Sequence, residues 1–210
     1  DDLAAGDLAA LALPGSARFR RTAALQLSSP RLRNVMRHLL AGSGEAMPDE
    51  DRLRETERQF RLDDADAGLR LPFGRVALCV YRDAWWLEPL SAEGAPDCVA
   101  WSGESSVGWA GGTVAFGEAT GEGLAARLIA GQPCELRCRR GGERLRLHAR
   151  GTSRTLKNLL QEAGVPPWLR SHLPLLWIGG RLAWVGGGGV ADEFRCPPGE
   201  AGMMPVWFRL

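Results

Sequence analysis

The sequence predicts an α+β protein: a helical domain that ends in a small β-hairpin, then a C-terminal domain of β-hairpins packed on one or two short helices. Apolar residues recur at helical spacing over the first 62 residues. From Cys134 onward, apolar and charged residues alternate with the period of half-buried strands. Gly-Gly pairs interrupt that alternation where a tight hairpin turn needs positive φ. We therefore divide the chain into domains over 1–90 and 133–210, joined by 91–132.

The N-terminal part predicts three helices. The first ends at Pro14-Gly15, and the second runs over 29–41, where Ser28 or Ser29 before Pro30 is a typical helix start. The third covers 49–62 and is charged on most sides, with Leu53 and Phe60 facing inward.

Strands follow these helices. Residues 69–73 and 75–81 read as two strands, and Trp85 and Trp86 lie on the next one as core residues. Residues 91–132 are rich in glycine and poorly patterned, so we interpret them as linker and loop, with one short strand at 113–116.

The strongest pattern begins at Cys134. Residues 134–140 and 143–149 predict a hairpin around Gly141-Gly142. In that pairing Arg139 lies opposite Arg144 and Arg137 opposite Arg146, and like charges facing each other destabilise a sheet. A polyanion bound to that face would offset the repulsion.

A helix with Thr152 or Ser153 as N-cap follows, and Gly164 ends it. A short helix over 167–171 and a hairpin around Gly179-Gly180 come next. The tail over 205–210 predicts a closing edge strand.

Positive charge is concentrated in residues 134–185. This stretch holds 10 of the 26 Lys and Arg residues and only three Glu, a net charge of +7, whereas the whole chain carries +1. No apolar run is long enough to cross a bilayer. Five cysteines without a CxxC pair argue against a disulfide framework or a zinc site and favour reduced thiols in a cytoplasmic protein. A polyanion partner fits this charge distribution.

Residues 151–187, GTSRTLKNLLQEAGVPPWLRSHLPLLWIGGRLAWVGG, resemble the C-terminal domain of bacterial tRNA(Ile)-lysidine synthetases. The shared pattern is a basic strand, Ser/Arg-x-Leu-Lys, Val-Pro-Pro-Trp-x-Arg and a Pro-Leu-Leu strand. The order LSSPRLRNVMRHLL, MPDEDRLRETERQF, LRLPFGRVALCVYRDAWWLEPL is similar to the substrate-binding middle domain of the same family, in a looser match.

The resemblance implies a ligase that uses ATP to adenylate a cytidine in the tRNA(Ile) anticodon, which lysine then attacks to give lysidine. The family's Ser-Gly-Gly-x-Asp-Ser phosphate loop does not occur in the 210 residues. We therefore expect the C-terminal half of such an enzyme, inactive by itself, with no catalytic residue, cofactor or metal of its own. ATP with magnesium, and lysine, would bind the missing domain. The oligomeric state stays open, a homodimer included.

The expected tRNA contacts are the basic residues of the hairpin and the helix after it: Arg137, Arg139, Arg144, Arg146, Arg150, Arg154 and Lys157. Trp168 is a further candidate for a partial contact. A Cys–His nucleophile using His38, His148 or His172 is a much weaker hypothesis. The alternative function is a protein-interaction or dimerisation module whose partner surface is formed by Leu175–Ile178 and 182–185. That alternative predicts weak salt dependence.

Overall fold

The computed structural model describes residues 2–62, 64, 67–90, 94 and 96–209. The chain forms two compact units, Asp1–Leu90 and Ser91–Leu210. Both units combine helices with antiparallel sheets, so the predicted α+β class is confirmed. Residues 91–93 and 95 of the predicted linker, and Leu210 of the predicted tail strand, lie outside the described residues.

The described residues of unit 1 form four helices and one four-stranded antiparallel sheet. The helices are α1 (Asp2–Leu11), α2 (Arg21–Ala24), α3 (Ser29–Gly42) and α4 (Glu50–Leu62). The strands are β1 (Phe19–Arg20), β2 (Leu69–Phe73), β3 (Val76–Tyr81) and β4 (Ala84–Pro89), in the order β1-β4-β3-β2. The predicted small hairpin is thus part of a larger sheet, because β1 pairs with β4.

Helical periodicity builds the core of unit 1. Leu32, Val35, Met36 and Leu40 of α3 are buried. Phe60 of α4 meets Trp85 of β4 edge-on, with ring centroids 5.5 Å apart. Trp86 is buried as well. Ser28 is the N-cap of α3, with Pro30 in its first turn, as the sequence predicts.

Unit 2 is built from three antiparallel sheets over one core. Its first strands are β5 (Cys98–Trp101), β6 (Ser106–Trp109), β7 (Gly112–Thr120), β8 (Leu124–Ala125) and β9 (Cys134–Arg137). Then come β10 (Arg144–Leu145), β11 (Arg154–Thr155), β12 (Leu175–Ile178), β13 (Arg181–Val185), β14 (Gly189–Val190) and β15 (Ala201–Arg209). Its helices are α5 (Ala126–Ile129), α6 (Leu156–Glu162), α7 (Pro167–Arg170) and a 3-10 turn, Asp192–Phe194. The sheet orders are β14-β13-β12-β9-β5, β6-β7-β15-β8 and β10-β11.

Two predictions for unit 2 are wrong. The Gly-rich stretch is not a linker, since it carries β5 to β8 and α5. The hairpin around Gly141-Gly142 does not form either. β9 is flanked by β5 on one side and β12 on the other, so residues 143–149 find no free edge of β9. Both glycines nevertheless adopt positive φ, which turns the chain away from the sheet.

Signals that act over a few residues are confirmed. Gly179 and Gly180 both have positive φ in the two-residue turn between β12 and β13. Gly164 has φ +72° after α6, and the amide of Val165 reaches back to the carbonyl of Leu160, which closes the helix in a Schellman arrangement.

The predicted tail strand forms as the second half of β15. Its described residues, 205–209, pair with β7, whereas β8 reaches only Gly202 and Met203, so the predicted edge strand is confirmed for this part. All five cysteines are free thiols. Within the described ranges, no helix has the length and apolar character needed to span a bilayer.

Candidate nucleic-acid interface

The most basic stretch of unit 2 is residues 144–157, called here the basic segment. It holds four arginines, Lys157 and no acidic residue. Its two ends pair as β10 and β11, with Arg144 opposite Thr155. Leu145, Leu156 and Leu160 are buried beneath it in the core of the unit. Apolar anchors therefore hold the ends while the charged side chains stay at the surface.

A loop of residues 146–153 connects the two strands. The amide of Gly151 donates to the carbonyl of His148 at 2.8 Å, which makes 148–151 a tight turn. The guanidinium of Arg144 donates to the backbone carbonyl of Ser153 and so links the two ends of the loop. The side chain of Thr155 caps α6 by accepting from the amide of Asn158.

Several cations of the basic segment have no anionic partner. Arg144, Arg150 and Lys157 are exposed, and no carboxylate of the described residues forms an ion pair with them. Arg146 is half exposed and lies 3.9 Å from a carboxylate oxygen of Asp192, the outer limit of an ion pair. These side chains can donate to phosphate oxygens without first breaking a strong ion pair.

Arg154 differs from its neighbours because it is paired. Both terminal nitrogens of its guanidinium donate to the carboxylate of Glu162, the last residue of α6. These hydrogen bonds lower the pKa of Glu162 and raise that of Arg154. Phosphate must displace this carboxylate before it can take both donors.

Arg137 and Arg139 are not part of the same surface group. Arg137 lies on β9, bonded to Glu135 and 5.0 Å from the ring of Trp177. Arg139 is four-fifths buried, and its Nε lies 3.5 Å from Glu143. The predicted face of four arginines opposite one another is therefore wrong, since the pairing that would create it does not exist.

Two clefts border the basic segment. One, of about 290 Å³, lies beside Arg144, Arg146 and Ser153, and the other, of about 440 Å³, lies beside His148, Arg154 and Glu162. Arg195 adds an exposed cation that the sequence interpretation missed, and its guanidinium donates to the carbonyl of Leu147 at 2.7 Å. Because Arg195 lies far along the chain from Leu147, no pattern in the sequence indicates this contact.

The structure gives little support to a cysteine nucleophile. Burial raises the pKa of the Cys134 and Cys138 thiols, and a hydrogen bond to Glu135 raises that of Cys98. A raised pKa reduces the thiolate, which is the reactive form. In the part of the chain that the structure describes, no group of three or more His, Cys, Asp or Glu side chains is arranged to hold a metal ion.

Comparison with known proteins gives two family matches. Residues 19–86 match the model of the TilS substrate binding domain, and residues 134–207 match that of the TilS substrate C-terminal domain. These matches define the class: the chain contains a substrate-binding domain and a substrate C-terminal domain of the TilS type. The chain belongs to the tRNA(Ile)-lysidine synthase family.

Curated relatives share this assignment. The tRNA(Ile)-lysidine synthase of Aromatoleum aromaticum is 43% identical over 97% of this chain and 48% of its own length. That of Azoarcus sp. is 42% identical over 86% and 39%, and that of Escherichia coli O157:H7 is 31% identical over 100% and 48%. The chain thus spans about half the length of the curated relatives it matches. A crystal structure of a TILS C-terminal domain, 21% identical, aligns with a TM-score of 0.38 over 48% of this chain and 85% of that one.

Proposed function

We propose that this chain is the tRNA-binding part of a tRNA(Ile)-lysidine synthase. That ligase would use ATP to join lysine to the wobble cytidine of the minor tRNA(Ile) anticodon, in the cytoplasm, where tRNA is modified. The observation that carries the proposal is the basic segment, five cations without an acid, of which Arg144, Arg150 and Lys157 have no carboxylate partner among the described residues. Such cations attract the phosphates of RNA.

The shape of the segment supports contacts with the RNA backbone. Double-stranded RNA is recognised mainly through its shape, its phosphates and its 2′-hydroxyls. An exposed loop with clefts on either side gives the arginines access to a rounded, charged surface. The seven residues predicted as contacts then divide into two groups. Five belong to the proposed interface, and Arg137 and Arg139 act mainly within unit 2.

The alternative function, a protein-interaction or dimerisation module, lacks the exposed partner surface that it requires. The two stretches proposed as a partner surface, Leu175–Ile178 and 182–185, are buried in the core of unit 2, apart from a partly exposed Trp177. They stabilise the five-stranded sheet and are not available to a partner.

Salt-dependent binding to the minor tRNA(Ile) tests the proposed interface. A variant with Arg144→Gln, Arg150→Gln and Lys157→Gln removes three unpaired cations without breaking an ion pair. The slope of log K against log salt should become shallower by roughly one for each phosphate that the variant no longer binds, with weaker binding at every salt concentration.

The matched control removes three exposed arginines that already have carboxylate partners outside the segment: Arg75, Arg127 and Arg181, each changed to Gln. The net charge of the two variants is then equal. If the control variant loses as much affinity as the first variant, and its dependence of log K on log salt becomes equally shallow, the basic segment is not the tRNA-binding surface.

Catalysis requires an ATP site, and the Ser-Gly-Gly-x-Asp-Ser loop of the family does not occur in this chain. We expect the 210 residues to bind tRNA without transferring lysine to it. Incubation with ATP, magnesium, labelled lysine and the minor tRNA(Ile) checks this expectation. ATP-dependent labelling of the tRNA by this chain alone would contradict it.

A further inference from the structure

A third cleft, of about 490 Å³, is lined in part by Leu147 and His148, where the 148–151 turn begins. Its walls come from separate parts of unit 2: the turn between β7 and β8, the start of the 148–151 turn, the glycine loop before β14, and β15. Besides glycines and Cys196, the cleft is lined by Glu122, Leu147, His148, Val190, Arg195 and Met204. Its volume falls within the usual range for small-molecule sites, about 300–1,000 Å³.

Three polar side chains meet at this cleft. The side chains of Glu122 and His148 are exposed, and neither side chain forms a hydrogen bond or an ion pair with another described residue. Arg195 donates one N–H to the carbonyl of Leu147, and this hydrogen bond holds the guanidinium at the wall of the cleft. The other N–H groups of the guanidinium can donate to a ligand. Leu147, Val190 and Met204 add apolar surface. The cleft thus offers a carboxylate that accepts hydrogen bonds, an imidazole, a guanidinium and apolar side chains.

The carboxylate of Glu122 narrows the class of ligand. On a surface that attracts phosphate, an unpaired carboxylate repels the backbone and weakens binding unless it accepts hydrogen bonds from the same RNA. Nucleobases supply such donors when they are unpaired and turned out of the helix. Arginine side chains can stack on a base or bind its phosphate.

We propose that this cleft holds a single unpaired nucleotide of the bound RNA, with the N–H edge of its base on Glu122. The proposal rests on the RNA-binding function proposed above. Guanine fits best, because its ring and amino N–H groups point the same way and match the two carboxylate oxygens. Uracil fits worst, since two carbonyl oxygens flank its single N–H.

Short RNA duplexes test the proposal with the full chain. A blunt duplex is compared with the same duplex carrying one unpaired guanosine at the 3′ end, at the 5′ end or as an internal bulge. Uridine in each position controls for the added phosphate. At least one guanosine form should bind more tightly than its uridine counterpart, by roughly fivefold or more, the usual discrimination of a bidentate contact to a base.

Glu122→Gln should abolish the guanosine preference without weakening the binding of the blunt duplex, because it removes a charge that repels phosphate. Glu118→Gln makes the same change of charge at an exposed residue of β7 outside the cleft and should keep the preference. The nucleotide site is overturned if no guanosine form binds better than uridine, or if the preference survives Glu122→Gln. Salt-independent binding of the blunt duplex would instead overturn the RNA-binding function itself.

Discussion

Unit 1 and the basic segment of unit 2 differ in how their arginines are neutralised. In unit 1, most arginines lie against carboxylates, and the single carboxylate of Glu57 accepts hydrogen bonds from both Arg33 and Arg61. In the basic segment of unit 2, Arg144, Arg150 and Lys157 meet no carboxylate of the described residues. The content of basic residues is therefore a poor guide to a polyanion site. What distinguishes the two regions is whether the protein itself already neutralises the charge.

Removing the carboxylate at the centre of the unit 1 network should have the largest effect on stability. Glu57 is almost fully buried between Arg33 and Arg61. Glu57→Gln leaves partly buried Arg61 without a carboxylate partner among the described residues and Arg33 with Glu50 alone, which should lower the free energy of unfolding by about 2–3 kcal/mol. Hydrogen exchange of α3 and α4 measures the loss.

The control for this change is Glu55→Gln on the same helix, where an exposed carboxylate pairs with Arg58. Exposed pairs contribute little, so the protection of α4 should stay close to that of the unchanged protein. Equal protection in all three proteins would mean that the unit 1 arginines are not structural, and the contrast between the units would disappear.

Low pH should destabilise unit 1 because it protonates the carboxylates that pair with arginines. Each of these pairs should contribute less to stability than Glu57 does. Hydrogen bonds from Arg31 and Arg75 lower the pKa of Asp7 and Glu45, and those from Arg58 and Gln59 lower the pKa of Glu55 to about 2. A carboxyl group whose pKa is lower in the folded state stabilises the fold above its unfolded pKa, and this stabilisation is lost as pH falls through the folded value.

Urea unfolding should therefore need less denaturant at about pH 3 than at about pH 6. For Glu57, burial alone would raise the pKa, but hydrogen bonds from Ser29, Arg61 and Arg33 outweigh it, and the net change is a lower pKa. Glu57→Gln should accordingly flatten part of the pH dependence. An unchanged pH dependence in that variant would show that Glu57 titrates normally.

The sequence predicts local features well because their signals act over a few residues. Gly164 ends α6, Gly179-Gly180 turns a hairpin, and the alternation after Cys134 identifies which side chains face the core. Strand partners are different. The alternation shows which face of β9 is buried but not which strand lies beside it, and β5 comes from a Gly-rich stretch with little pattern.

The same limit applies to the interface. A local excess of charge identifies the region, and five of the seven predicted residues lie in the basic segment. Whether an arginine is neutralised depends on contacts made by folding. Arg139 packs against Glu143, and Arg137 lies by Trp177. Arg195 joins the surface from a distant part of the chain, where nothing in the sequence marks it.

Arg154 allows the finest test of the contrast between unit 1 and the basic segment. It is firmly paired, whereas Arg144, Arg150 and Lys157 have no carboxylate partner among the described residues and Arg146 lies 3.9 Å from a carboxylate oxygen of Asp192. Bound phosphate competes with Glu162 for its guanidinium. Glu162→Gln removes the competing charge, so binding of a blunt RNA duplex should become about two- to fivefold tighter, with the gain shrinking as salt rises.

Glu118→Gln raises the net charge equally and is the comparison for this small effect. If both variants bind with the same affinity, the gain is only a change in overall charge, and Arg154 is structural like the arginines of unit 1. If only Glu162→Gln gains, Arg154→Gln added to it should remove the gain, because the guanidinium freed by the first change is the group that binds phosphate. That result would place Arg154 with its unpaired neighbours.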